Sequence, residues 1–149
     1  MRHLKFFTFA LLTFVGIACD RNSDPTPGNE QSKAEILKST GWKLDRVTTT
    51  DGQTINSSRL SLETRAIFEV NVEFRNPDIT RAVDRVSKQV LNGGTWYLRE
   101  NETILDVDVT GFKGKFQVIE ISRTKLIIRN QIPLDGTKQE ANMEFSPAQ

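Results

Sequence analysis

The chain has 149 residues, with 20 Lys and Arg against 19 Asp and Glu, one Cys and one His. That is about one domain of protein and excludes a large multidomain machine. His3 and Cys19 both lie at the N-terminus, so everything after Cys19 lacks imidazole and thiol chemistry. A His-activated nucleophile and an imidazole metal site are therefore excluded there.

The chain opens on a basic start, Met1 to Lys5, followed by thirteen uncharged and mostly apolar residues, 6–18. Such a run is too short to span a bilayer comfortably and has the length of a secretory h-region. Cys19 follows at once, and the text then turns polar. Val15-Gly16-Ile17-Ala18-Cys19 resembles the lipobox of bacterial lipoproteins, with Gly16 where that family usually carries a bulky apolar residue. The resemblance implies cleavage before Cys19 and acylation of its thiol, which anchors the protein in a membrane of the bacterial cell envelope. A second acyl chain makes such attachment stable where one alone is marginal. Residues 1–18 are then a signal peptide, and residues 19–31, with Pro25 and Pro27, are the lipidated Cys and its flexible tether.

Removal of residues 1–18 takes Arg2 and Lys5 with it and leaves 18 basic against 19 acidic residues. No basic nucleic-acid footprint remains. Of the 130 residues after Cys19, 42 are apolar, or 32%. That share is low for a globular domain and points to a thin core, a cavity, or both.

Ser32-Lys33-Ala34-Glu35 has the spacing of a capping box and predicts a short helix over 33–39, ended by Gly41. From Trp42 onward, short alternating runs separated by turn chemistry predict antiparallel strands. The first covers 42–50. The clearest covers 66–74, where Ala66, Phe68, Val70, Val72 and Phe74 occupy every second position. In 79–91, Ile79, Ala82, Val83, Val86 and Val90 form a helical stripe, whereas three β-branched valines and the following Asn92-Gly93 favour a strand. We read strand, with Asn92-Gly93 as a hairpin turn into 95–98. Glu100-Asn101 turns that run into 103–109, and Gly111 with Gly114 brackets the next turn. Runs at 115–121, 125–130 and 140–145, with Asp135-Gly136 as the last loop, bring the count to eight strands.

Several of these residues resemble the lipocalin-like domains of small bacterial lipoproteins. They are Thr40-Gly41-Trp42-Lys43-Leu44 after Leu37, Gly94-Thr95-Trp96 opening a strand, Thr103 to Val107 after a polar turn, and Phe116 to Ile121 followed by Thr124 to Ile128. Lipocalins carry Gly-x-Trp on the first strand; here Gly41 and Trp42 are adjacent. The resemblance covers about residues 36–146 and implies an all-β fold, an eight-stranded antiparallel up-and-down barrel with a short N-terminal helix, over 32–149. A closed eight-stranded meander holds either packed side chains or one small ligand.

Candidate ligand-contacting residues are Trp42 and Trp96 at strand starts, placed to plug an end or line a cavity, and the face Phe68, Val70, Val72 and Phe74; for each, plain core packing is the competing role. Asp106 and Asp108 share a strand face and invite an acid/base or oxygen-ligand reading, yet a solvated outer face accounts for them more simply. Glu69 and Glu73 read the same way. No phosphate-binding loop is present. The expectation is a non-enzymatic, membrane-anchored module without a cofactor, which binds a small apolar ligand in the envelope. The alternative is a filled barrel serving as a protein-interaction, accessory or inhibitor module there.

Overall fold

A computed structural model describes residues 31–148. The expected signal peptide, Cys19 and the tether through residue 30 lie outside the described residues. The first element is the helix α1, Lys33–Lys38. Ser32 Oγ accepts from the Glu35 amide at 3.2 Å, and the Glu35 carboxylate accepts from the Ser32 amide at 2.9 Å. Two otherwise unpartnered N-terminal donors are thereby satisfied. Leu37, on its inner side, is fully buried.

Eight strands follow: β1 (Gly41–Thr48), β2 (Val70–Arg75), β3 (Ile79–Asp84), β4 (Val90–Arg99), β5 (Ile104–Val109), β6 (Phe112–Ile121), β7 (Leu126–Leu134) and β8 (Thr137–Pro147). Each pairs antiparallel with the next, and β8 returns to β1, so the meander closes into a barrel with no free sheet edge. Because side chains alternate, register decides what the interior contains. In β5, Leu105, Val107 and Val109 are buried while Asp106 and Asp108 lie on the other face. Opposite them on β6 and β4 stand Phe116 and Trp96. On β7 and β8, Leu126, Ile128, Ile132, Ala141, Met143 and Phe145 complete the core. A fully buried Leu or Ile contributes on the order of 2 kcal/mol of transfer free energy.

The 49–69 connection between β1 and β2 crosses one end of the barrel. It carries a single-turn helix at Ser57–Arg59, the helix α2 (Leu62–Ala66) and a further turn at Ile67–Glu69. Ser61 caps α2 by accepting from the Thr64 amide at 3.3 Å. Buried Ile55, Leu60 and Ile67 seat the connection on the core. Its middle is pinned to the β7–β8 turn by a Leu60–Leu134 bridge and by Arg59 Nε on Asp135 Oδ2 at 2.7 Å.

Four expectations change in detail. Residues 66–69 are helical, because Ser61 starts a turn that carries through Glu69, and β2 begins only at Val70. Within 79–91 the strand reading holds for 79–84, but the chain turns at 85–89. There Asp84 Oδ1 accepts from the amides of Val86 (2.9 Å) and Ser87 (2.6 Å) and from the Ser87 hydroxyl (2.9 Å). Asn92-Gly93 is not a turn but lies inside β4, paired with Ala82 and Arg81. Gly114 is likewise inside β6, and the turn sits at Thr110-Gly111, with Gly111 at φ 83°.

Candidate functional site: an apolar cavity at the barrel mouth

The two ends of the barrel are furnished differently. At the end beneath α1, inward positions hold large rings. Trp42 is fully buried and donates from Nε1 to the Leu37 carbonyl at 3.0 Å, tying β1 to the helix that covers it. Trp96 donates from Nε1 to the Arg75 carbonyl at 3.1 Å and meets Phe74 edge to face, with ring centroids 5.3 Å apart. Each indole therefore buries its ring and keeps its one donor satisfied.

At the opposite end the inward positions on β2, β3 and β4 are mostly small. Cross-strand register places Val72 opposite Ala82, Ala82 opposite Asn92, and Thr80 opposite both Phe74 and Gly94. The space left unfilled is a cavity of about 280 Å³, at the small end of the roughly 300–1,000 Å³ typical of ligand sites. Val70, Val72, Thr80, Ala82, Val109 and Phe112 wall it, and Ala66 and Ile67 of the crossing connection form one lip. The opposite lip is Leu91 with the Thr110-Gly111 turn. Gly94 faces Val109 across β4 and β5, and a Cβ there would collide with the Asp108 carbonyl oxygen, so only Gly admits this close approach.

Charge is confined to the rim. Glu63, on the first turn of α2, is exposed, and its carboxyl is held below its usual range, first by its own backbone amide and then by the Ser61 hydroxyl. Arg81 contributes to the cavity lining, while its register opposite Glu73 and Gly93 turns its side chain to the outer sheet face. Asn92 is internally satisfied: its Nδ2 donates to the Thr110 carbonyl at 2.7 Å and its Oδ1 accepts from the Gly93 amide at 2.8 Å. Thr80 is different. It is fully buried, and its Oγ1 is the one buried side-chain polar atom among the described residues without a hydrogen-bond partner.

The sequence candidates divide between these regions. Val70 and Val72 line the cavity. Trp42, Phe74 and Trp96 belong to the closed-end core. Phe68 sits in the Ile67–Glu69 turn, half-buried, beside a separate shallow cleft with Asp45 and Ile55. Cys19 lies outside the described residues. Asp106 pairs with Arg99 at 2.8 Å and Asp108 with Lys113 at 2.9 Å, each on the outer face. Glu73 pairs with Arg75 at 2.7 Å, and Glu69 is exposed. Sequence reasoning missed Thr80, Ala82, Val109, Phe112 and the α2 lip. The available signals were the Ser61 cap and the run of small inward residues on β3 and β4. The latter becomes visible only once 79–84 is assigned to a strand.

The site thus belongs to a closed, up-and-down antiparallel barrel with one packed end and one hollow apolar mouth. No family model matches the chain, and no curated protein matches it.

Proposed function

We propose that the protein is a lipid-anchored envelope lipoprotein whose lipocalin-like domain binds a small, mainly apolar molecule in the mouth cavity without catalysing a reaction on it. The observation that carries this reading is the cavity itself: an interior void walled by Val70, Val72, Ala82, Val109 and Phe112 and open at one end. Apolar surface of this kind gains free energy when a ligand replaces the water against it. The anchor at Cys19 rests on the signal-like N-terminus and its resemblance to a lipobox. An acylated Cys19 would attach the protein to a membrane.

Native mass spectrometry of the full chain purified from its own envelope, with extraction of bound small molecules, tests the binding function. The expected result is a stoichiometric ligand that is absent from the Ala82→Phe variant, whose ring fills the cavity. A clean apo mass for the wild type contradicts it. One observation favours the second reading, a protein-interaction module. Val86 at the β3–β4 turn is 91% exposed and Leu62 on α2 is 72% exposed, so two apolar side chains stand unpartnered at the mouth end. A Val86→Asp, Leu62→Asp variant that keeps its ligand but loses a stoichiometric protein partner would establish that reading. For the anchor, Cys19→Ala is expected to yield a protein that incorporates no labelled palmitate.

A further inference from the structure

Thr80 is an anomaly in a wall that otherwise has no polar demand. Its neighbours in register, Phe74 and Gly94, offer no side-chain acceptor or donor, and Ala82 two residues on is apolar. A buried hydroxyl without a partner is costly, and Val would fill the same volume without that cost. An exception of this kind in a native structure calls for an explanation, and a bound group that pairs with the hydroxyl is one. Resting on the binding function proposed above, we infer that Thr80 Oγ1 is the polar reader of the cavity, and that the ligand is an uncharged molecule with an apolar body and a hydroxyl or carbonyl oxygen that enters first.

The surroundings select against charge. A hydroxyl both donates and accepts, so it pairs with an alcohol or with a carbonyl. A carboxylate or ammonium carried to the same depth would find no counter-charge, because the ionisable residues near the cavity stand at its rim or on the outer face, and an unpaired buried ion is far costlier than a neutral group. The Glu63 carboxylate at the lip adds repulsion toward an anion. Thr80 is fully buried in the cavity wall, so only the leading atom of a ligand at full depth meets it. That limits the reading group to a single small oxygen.

The test titrates the full chain in nanodiscs, with empty nanodiscs as the blank, against 1-hexanol, 2-hexanone, hexanoate and hexane. Wild type is compared with Thr80→Val, which deletes the hydroxyl at constant shape, and Thr80→Ser, which keeps it. The affinity ratio of 1-hexanol to hexane is expected to fall about fivefold in Thr80→Val, the worth of one net hydrogen bond, and to be retained in Thr80→Ser. The 2-hexanone ratio should follow. Thermal unfolding of each variant confirms that it is folded. If the probes bind but the ratio is the same in wild type and Thr80→Val, the reader role is wrong while the binding function stands. Tightest binding by hexanoate overturns the uncharged-ligand class. If no probe binds folded wild type, the cavity is not a binding site and this inference falls with it.

Discussion

The two ends of this barrel are built from one alternating pattern and reach opposite outcomes. Beneath α1, Trp42, Phe74 and Trp96 fill the lumen, and both indole N–H groups find carbonyls. At the mouth, Val72, Thr80, Ala82 and Gly94 occupy equivalent inward positions and leave about 280 Å³ empty. Strand geometry is common to both; side-chain volume decides which end is core and which is site. The packed end supplies the stability that permits the other to stay hollow, since an interior void forfeits dispersion contacts.

Substitutions can break that contrast, and the largest effect is expected at the packed end. Trp42→Ala opens a void and strands the Leu37 carbonyl, and is expected to cost about 3–5 kcal/mol in urea unfolding. Val70→Ala, half-exposed beside an existing void, is expected to cost about 1 kcal/mol or less. Equal losses would show that the mouth is as tightly packed as the closed end.

Gly94→Ala comes next. Its Cβ would meet the Asp108 carbonyl, so the strand must shift, at a cost of about 1–3 kcal/mol by denaturant melt. Thr80→Val has the opposite sign. Removing an unpartnered buried hydroxyl is expected to raise stability by about 1 kcal/mol, while the hexanol preference is lost. A variant both more stable and less selective is the signature of a group retained for binding.

The smallest effect concerns pH. The Asp84 carboxyl is held below its usual range, first by the Ser87 amide, then by the Ser87 hydroxyl and the Val86 amide. A depressed folded pKa contributes stability that is present above the ordinary Asp value of about 4 and is lost as pH falls through the lower folded value. Between about pH 5 and 2, wild type should therefore lose slightly more stability than Asp84→Asn, compared by urea midpoints. Parallel curves would remove this turn from the acid response.

Legibility in the sequence followed the same division. The strands from Ile104 onward were readable because apolar and polar residues alternate along most of β5, β6 and β8, with Gly111 and Asp135-Gly136 at two of the turns. The capping-box residues ahead of α1 were readable for a similarly local reason, since both partners lie within four residues. The mouth was harder. Ala66 and Phe68 continue the period of β2 backward, yet Ser61 and the first-turn Glu63 start α2 there, and tertiary anchoring of Ile67 prevails over the alternation. Asn92-Gly93 has strong turn chemistry, but Asp84 closes the turn earlier through three hydrogen bonds. The cavity arises from what is missing on adjacent strands, and that becomes apparent only when register sets Ala82, Thr80 and Gly94 side by side. Val70 and Val72 were legible as an inward face. For Trp42 and Trp96 the sequence left two roles, plugging an end or lining a cavity, and only the register shows that both belong to the packed end.

The most direct measurement is a methyl-resolved NMR titration of the full chain with 1-hexanol. The expected result is saturable shifts at Val70, Val72 and Val109, with Leu105 and Leu126 in the packed core unchanged. Shifts centred on the packed core, or no saturable shift in the folded protein, would contradict the assignment of the mouth as the binding site.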